Sequence, residues 1–236
     1  NDFYSTVIPP FLPVLAEDFG LEYTELGILA GAFGLLTGVL QPVMGHRADQ
    51  RGQRRFILTL GFAMAAIGFL AMASAPSFWI IVGVSLLCGL GGATYHPQAT
   101  AYIVQAYPND RGRMLGLHGW GGSVGHFLAP AAAAASAAWF GWRITMVAIA
   151  VPLLITSFVV RSRLEETTPN ESASLLGALT PRLIKTAIGF GLMGIVLSSF
   201  TTFLVQMLVD EGWSTARGGA ILSVILVVGV VAQPVG

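Results

Sequence analysis

The side chains of this sequence that can do chemistry are few, and they interrupt apolar surroundings. Asp2 is the one acidic residue well inside an apolar run, with Asn1 beside it and Tyr4 following. His96 precedes Pro97 in the stretch Tyr95-His96-Pro97-Gln98, and His118 and His126 share another run, with Trp120 between them and Ser123 nearby. Ionisable groups are costly to bury in hydrocarbon and usually mark a solute or ion pathway, which makes Asp2 a candidate proton carrier. Histidine titrates near neutral pH, so each buried imidazole can hold an anion when charged or relay a proton when neutral. Proline inside a helix frees a carbonyl and bends the chain, which sets Tyr95, His96 and Gln98 beside a local distortion. Asn1, Asp2, Tyr4, Tyr95, His96, Gln98, His118, Trp120 and His126 are therefore the candidate substrate and proton pathway. For each of them a neutral, hydrogen-bonded packing role is the competing reading.

Metal and cofactor chemistry find no footing in the pattern. No second histidine or carboxylate stands one turn from any of these histidines, so no metal site is expected. There is no Walker loop, nucleophile elbow or metalloprotease motif, which speaks against ATP-driven pumping and against an enzyme, and no cofactor is expected.

The elements that must hold these groups follow from composition. Of 236 residues, 54% are hydrophobic and 10% charged, far from the roughly 25% charge of a soluble domain. A net charge of zero argues against a nucleic-acid binder, whose phosphate contacts need a basic excess. Cys88 lies inside an apolar run and reads as a small core hydrophobe. Apolar runs cover residues 1–16, 23–44, 56–73, 78–107, 114–140, 144–160, 184–209 and 216–236, each near or above the roughly 20 residues that cross a bilayer as a helix. The sequence thus predicts an all-α, polytopic membrane protein of about eight spans, the first and last of them incomplete. The runs are continuous, unlike the alternating segments of a β-barrel.

Arginine and lysine give the orientation. Arg47, Arg51, Arg54 and Arg55, then Arg111 and Arg113, then Arg161, Arg163, Arg182 and Lys185 fall in alternate connections, against Arg143 and Arg217 on the opposite side. The positive-inside rule makes the arginine-rich loops cytoplasmic, with the N-terminus cytoplasmic as well.

An internal repeat adds a second layer of organisation. Displaced by 192 positions, the stretch from Phe11 to Val43 falls on Phe203 to Val235 without a gap. Phe11, Leu12, Asp18, Gly20, Gly27, Val39, Gln41, Pro42 and Val43 each meet an identical residue. Spans seven and eight thus copy spans one and two in the same orientation, the mark of transporters built from two six-helix halves.

The loop Gly45-x-x-x-Asp49-x-x-Gly52-x-Arg54-Arg55 between spans two and three resembles the signature loop of the major facilitator superfamily, with Gln50 where the family usually has Arg or Lys. Asn1-Asp2-Phe3-Tyr4, GGATYHPQATAYI in span four and GLHGWGGSVGHFLAP in span five resemble the fosmidomycin-resistance type of efflux transporter within it. An arginine often found within span four has no counterpart; Ser85 stands about where it would fall. The resemblance implies a gating loop of Gly45, Asp49, Gly52, Arg54 and Arg55 that latches the outward-facing state through Asp49. Gly45 and Gly52 are expected to supply its backbone freedom.

The expected organisation is a first six-helix bundle over residues 1–164, a cytoplasmic connection over 165–183 and the first two helices of a second bundle over 184–236. Leu175, Leu176, Leu179 and Leu183 suggest a short surface helix in the connection. The glycines of spans four and five read as helix-packing devices. The cavity is expected between the halves, lined by spans one, four, five and seven, with Ser198, Ser199, Thr201 and Thr202 from the second half. The activity implied is proton-linked export of a small drug-like or anionic solute by a monomer in the lipid bilayer of the inner or plasma membrane. The alternatives are an uptake symporter or facilitator of the same fold, and a non-transporting receptor or assembly factor.

Overall fold

In lipid, long apolar segments satisfy their backbone groups internally as helices. The computed structural model describes residues 1–167, 169, 177 and 179–232, and shows no strand among them. The helices are α1 (Asp2–Ser5), α2 (Ile8–Phe19), α3 (Tyr23–Arg51), α4 (Arg54–Ala73), α5 (Phe78–Ala106), α6 (Arg111–Phe140), α7 (Trp142–Arg163), α8 (Pro181–Asp210) and α9 (Thr215–Ala232). Six of them, α3, α4, α5, α7, α8 and α9, are long and apolar enough to cross a membrane. Of the other two expected spans, α6 has the length, but its glycines and histidines dilute the apolar character, and the first is divided into α1 and α2. Side chains such as Trp139, Phe158 and Val196, each more than 70% exposed, suit only a lipid surround.

The division of the first span has a local cause. Pro9 and Pro10 carry no N–H and their rings crowd the preceding turn, so the helix stops at Ser5 and restarts at Ile8. Ser5 Oγ and Thr6 Oγ1 donate to the Asp2 carbonyl at 3.0 and 2.9 Å, which satisfies a group that the break leaves open. With prolines at the second and third positions of α2, few orphan N–H groups remain at its buried start.

The signature loop is mostly helix. Expected as a loop over residues 45–55, it is instead the end of α3, a two-residue connection (Gly52 and Gln53) and the start of α4. At 1.5 Å per residue, the 29 residues of α3 run about 43 Å, so its last turns stand clear of a 30 Å hydrocarbon core. Gly52 is left-handed, with φ +66°. Gly45, by contrast, is helical, and its missing side chain serves packing, since a Cβ there would lie 3.1 Å from Pro97 Cβ. A reciprocal Glu22–Glu25 capping box begins α3. At α9, Ser214 Oγ accepts from Arg217 N–H.

Helix association in lipid depends on close fit rather than on hydrophobic expulsion. A Cβ on Gly89 would strike the Phe33 carbonyl of α3, one on Gly91 would strike the Gly61 carbonyl of α4, and one on Gly68 would strike the buried Cys88 Sγ. These notches pack α5 against both α3 and α4, and α4 in turn packs on α7. The second half joins the first along α6–α9 and α2–α8. In the first seam Gly219 fits against Pro130 and Ala134, and Ser223 Oγ accepts from Ala131 N–H at 3.0 Å. Helix α8 starts at Pro181, capped by Thr180, so Leu183 belongs to it; Leu175 and Leu176 of the expected surface helix lie outside the described residues.

Candidate functional site

Asp2 rests in a notch of α6. A Cβ on Gly122 would collide with its carboxylate, and one on Gly125 would stand 3.0 Å from Phe3 N, so these two glycines let α1 lie directly on α6. Gly121, by contrast, faces open space. His96 Nε2 lies 3.2 Å from Asp2 Oδ1 and 3.3 Å from Asn1 Nδ2, while Asn1 Nδ2 donates to Asp2 Oδ1 at 2.9 Å. One ring nitrogen thus meets two partners: bearing a proton it donates to Asp2, and without one it accepts from Asn1. The Tyr95 ring stacks edge-on against His96 at 5.2 Å and tilted against His118 at 5.7 Å. Asn1, Asp2, Tyr95, His96 and His118, drawn from spans one, four and five, therefore form one cluster.

The remaining expected pathway residues lie elsewhere. Tyr4 is buried in the core, edge-on to Phe69. Trp120 is 41% exposed and does not line the cavity between the halves. His126 does line it, in a space of about 370 Å³ between the halves. The other walls come from Ser5, Thr6, Ile8 and Pro9 of span one, Ala30, Phe33 and Gly34 of α3, Leu197, Ser198, Thr201 and Thr202 of α8, and Leu226 of α9. Spans two and eight take the place expected for span four, and Ser199 is not part of the lining. Repeat-related residues appear on both walls: Ser5 with Leu197, Thr6 with Ser198, Pro9 with Thr201 and Gly34 with Leu226.

At the end that carries the signature loop, Arg54 is almost fully buried. One of its terminal nitrogens pairs with Asp49 and the other donates to Gln98 Oε1 at 3.1 Å; Gln98 Nε2 in turn donates to the Met44 carbonyl at 3.1 Å. Gln98, expected near the histidines, thus belongs to the loop network and ties span four to the signature loop. Arg55 points the other way, to Glu166 beyond α7, a partner that sequence reading had left in a charged connection.

The opposite end carries two further carboxylates that sequence reading left without roles. Asp18 accepts from Trp142 Nε1 at 2.5 Å, with the Arg143 guanidinium 4.2 Å above the indole ring. Its repeat mate Asp210 accepts from Tyr23 Oη at 2.5 Å and from Gln206 Nε2 at 2.9 Å, and the Tyr23 and Phe203 rings stand 5.7 Å apart. Tyr23 belongs to the first half and Asp210 to the second, so this contact crosses between them. The repeat aligns the two aspartates but says nothing of their partners, which are distant in sequence.

Comparisons with known proteins agree with this architecture. The uncharacterised MFS-type transporter YfnC of Bacillus subtilis is 35% identical over 130 residues, 55% of this chain and 32% of its own length. The multidrug efflux pump LfrA of Mycolicibacterium smegmatis is 29% identical over 215 residues, 86% of this chain and 42% of its own length. The fosmidomycin resistance protein of Escherichia coli is 28% identical over 141 residues, 60% of this chain and 34% of its own length. The chain therefore spans between about a third and a half of the length of these relatives. A bacterial homologue of the human lysosomal transporter Spinster, in an inward-facing and occupied conformation, shares the fold with a TM-score of 0.80 at 20% identity, over 98% of this chain and 56% of that one. With residues 1–236 matching the model of the Major Facilitator Superfamily, and with the repeat, the signature loop and the helical bundle all of that kind, the chain belongs to this superfamily of multi-pass membrane transporters.

Proposed function

We propose that the protein exports a small drug-like solute in exchange for protons, by rocking two helical halves about a shared cavity. The observation that carries the reading is the cavity itself, whose walls come from both copies of the repeat and include His126. Its volume of about 370 Å³ falls within the roughly 300–1,000 Å³ common for small-molecule sites. Several relatives are named as multidrug efflux pumps or resistance proteins, which supports the direction of transport. The Asp2–His96–Asn1 cluster supplies the proton step, because gain or loss of one proton at His96 Nε2 exchanges its partner. In this reading residues 1–164 form the first bundle, the arginine-rich loops and the N-terminus face the cytoplasm of the cell membrane, and the transporter works as a monomer. The Asp49–Arg54–Gln98 network serves as the cytoplasmic gate.

The test uses inverted vesicles from cells expressing the intact protein, with a panel of fluorescent dyes and antibiotics as solutes. A pH gradient should drive dye accumulation, and Asp2→Asn should abolish the pH dependence while solute counterflow persists. Asp49→Asn should slow transport without lowering membrane abundance. Solute movement down the proton gradient would instead indicate uptake, and absence of any exchange would reject transport.

A further inference from the structure

The segment after α7 is fastened to the signature loop. Glu166 Oε2 accepts from Arg55 N–H at 3.0 Å, and Oε1 accepts from Phe56 N–H at 3.2 Å and from Arg55 Nε at 3.3 Å. Thr167 N–H donates to the Gly52 carbonyl at 3.1 Å. The first N–H groups of a helix have no acceptor within it, and a carboxylate there also meets the positive end of the helix dipole. Glu166, 111 residues downstream of Arg55, is thus the cap of α4. The ion pair itself counts for little, since both side chains are about one-third exposed. Capping of two backbone donors is the larger effect. Gly52 records the same closeness: a Cβ there would strike the Thr167 carbonyl and crowd the Pro169 ring.

This strap bears on the gate because Arg54 sits in the turn it caps. Held there, Arg54 spans Asp49 and Gln98; if the first turn of α4 frays, both contacts lose their anchor. The strap lies on the stretch of chain that continues to α8, which begins at Pro181. We propose that Glu166 is a positioning residue for the cytoplasmic gate, holding the α3–α4 connection in its latched form until the segment following α7 is drawn away. The proposal rests on the loop acting as that gate.

Hydrogen exchange and cysteine labelling on the intact protein in nanodiscs or membranes test it without a known solute. Glu166→Gln, nearly the same in shape, should speed exchange at the amides of Arg55 and Phe56 about fivefold, the loss of an average cap, and leave the rest of α4 unchanged. With Ser198→Cys as a reporter in the cavity, the same change should raise maleimide labelling from the cytoplasmic side about threefold, because a loosened cap withdraws part of that energy from the latched state. Faster exchange with unchanged labelling would reduce the strap to a structural cap and overturn the proposal, as would no change in either. Asp49→Asn separates this failure from that of the gate: raised labelling in Asp49→Asn alone overturns the strap and leaves the gate, whereas unchanged labelling in both removes the gate and the strap with it. If Glu166→Gln does not accumulate in membranes, Glu166→Asp, one methylene too short to reach both amides, is read by the same measurements.

Discussion

The two copies of the repeat differ in structure at two places in particular. Where the first copy has Pro9 and Pro10, the second has Thr201 and Thr202. The first is broken there, while α8 runs through without interruption, Thr201 Oγ1 donating to its own helix at the Leu197 carbonyl. At the other end, Asp18 and Asp210 are repeat mates with different partners: Asp18 bonds Trp142 within its own half, and Asp210 bonds Tyr23 across the halves. One copy is thus broken where it lines the cavity and is stapled internally, while the other is continuous and reaches over the seam. Duplicated helices need not share a task, and the partner of each carboxylate determines whether it holds a bundle together or holds two bundles closed.

Three variants sharpen the contrast. The largest effect is expected from making the first copy resemble the second: Pro9→Thr with Pro10→Thr removes the cause of the break, an interior proline being worth about 3 kcal/mol. A continuous helix would shift Ser5 and Thr6 off the cavity wall, so transport in vesicles should fall at least about tenfold, with abundance by immunoblot unchanged. Retained transport would mean that the break is incidental to the site. Next comes Tyr23→Phe, which deletes one hydrogen bond to a carboxylate at a site where Tyr23 is 46% exposed. Such bonds are worth about 1.5–3 kcal/mol when sheltered and less when solvated. Labelling of Ser198→Cys from the outer side should rise about fivefold, corresponding to about 1 kcal/mol, and equal labelling would remove this contact as a closure between the halves. The smallest change is expected from Trp142→Phe, which removes the donor to Asp18 but keeps a ring under Arg143. The apparent melting temperature should drop by about 2–4 °C, with labelling from both sides unaltered; a change in sidedness would show that Asp18 also takes part in gating.

Much of the fold was legible in the sequence. Apolar length marked most of the spans, and the repeat pointed to a cavity between the halves. The break in the first span was also written there, since two adjacent prolines forbid an uninterrupted helix, but hydropathy alone smooths over it. The site was read unevenly. Asp2, His96 and His118, singled out because they interrupt apolar runs, come together because glycines at 122 and 125 admit α1 onto α6, although His96 stays exposed and His118 half-buried. Gln98 shared a motif with His96, yet a helix sends residues two apart to different faces, and it went to Arg54 instead. Gly45 looked like a turn glycine until the helix was seen to pass through it. Glu166, Tyr23 and Asp210 gave no local signal, since each acts on a partner more than a hundred residues away.

The connection between α3 and α4 is only Gly52 and Gln53. So brief a hinge cannot absorb slack, and the two rods it joins must swing as one lever whenever either is pushed. Lengthening it with a few flexible residues would leave each rod folded while cutting the mechanical linkage, turning a rigid crank into two loose arms.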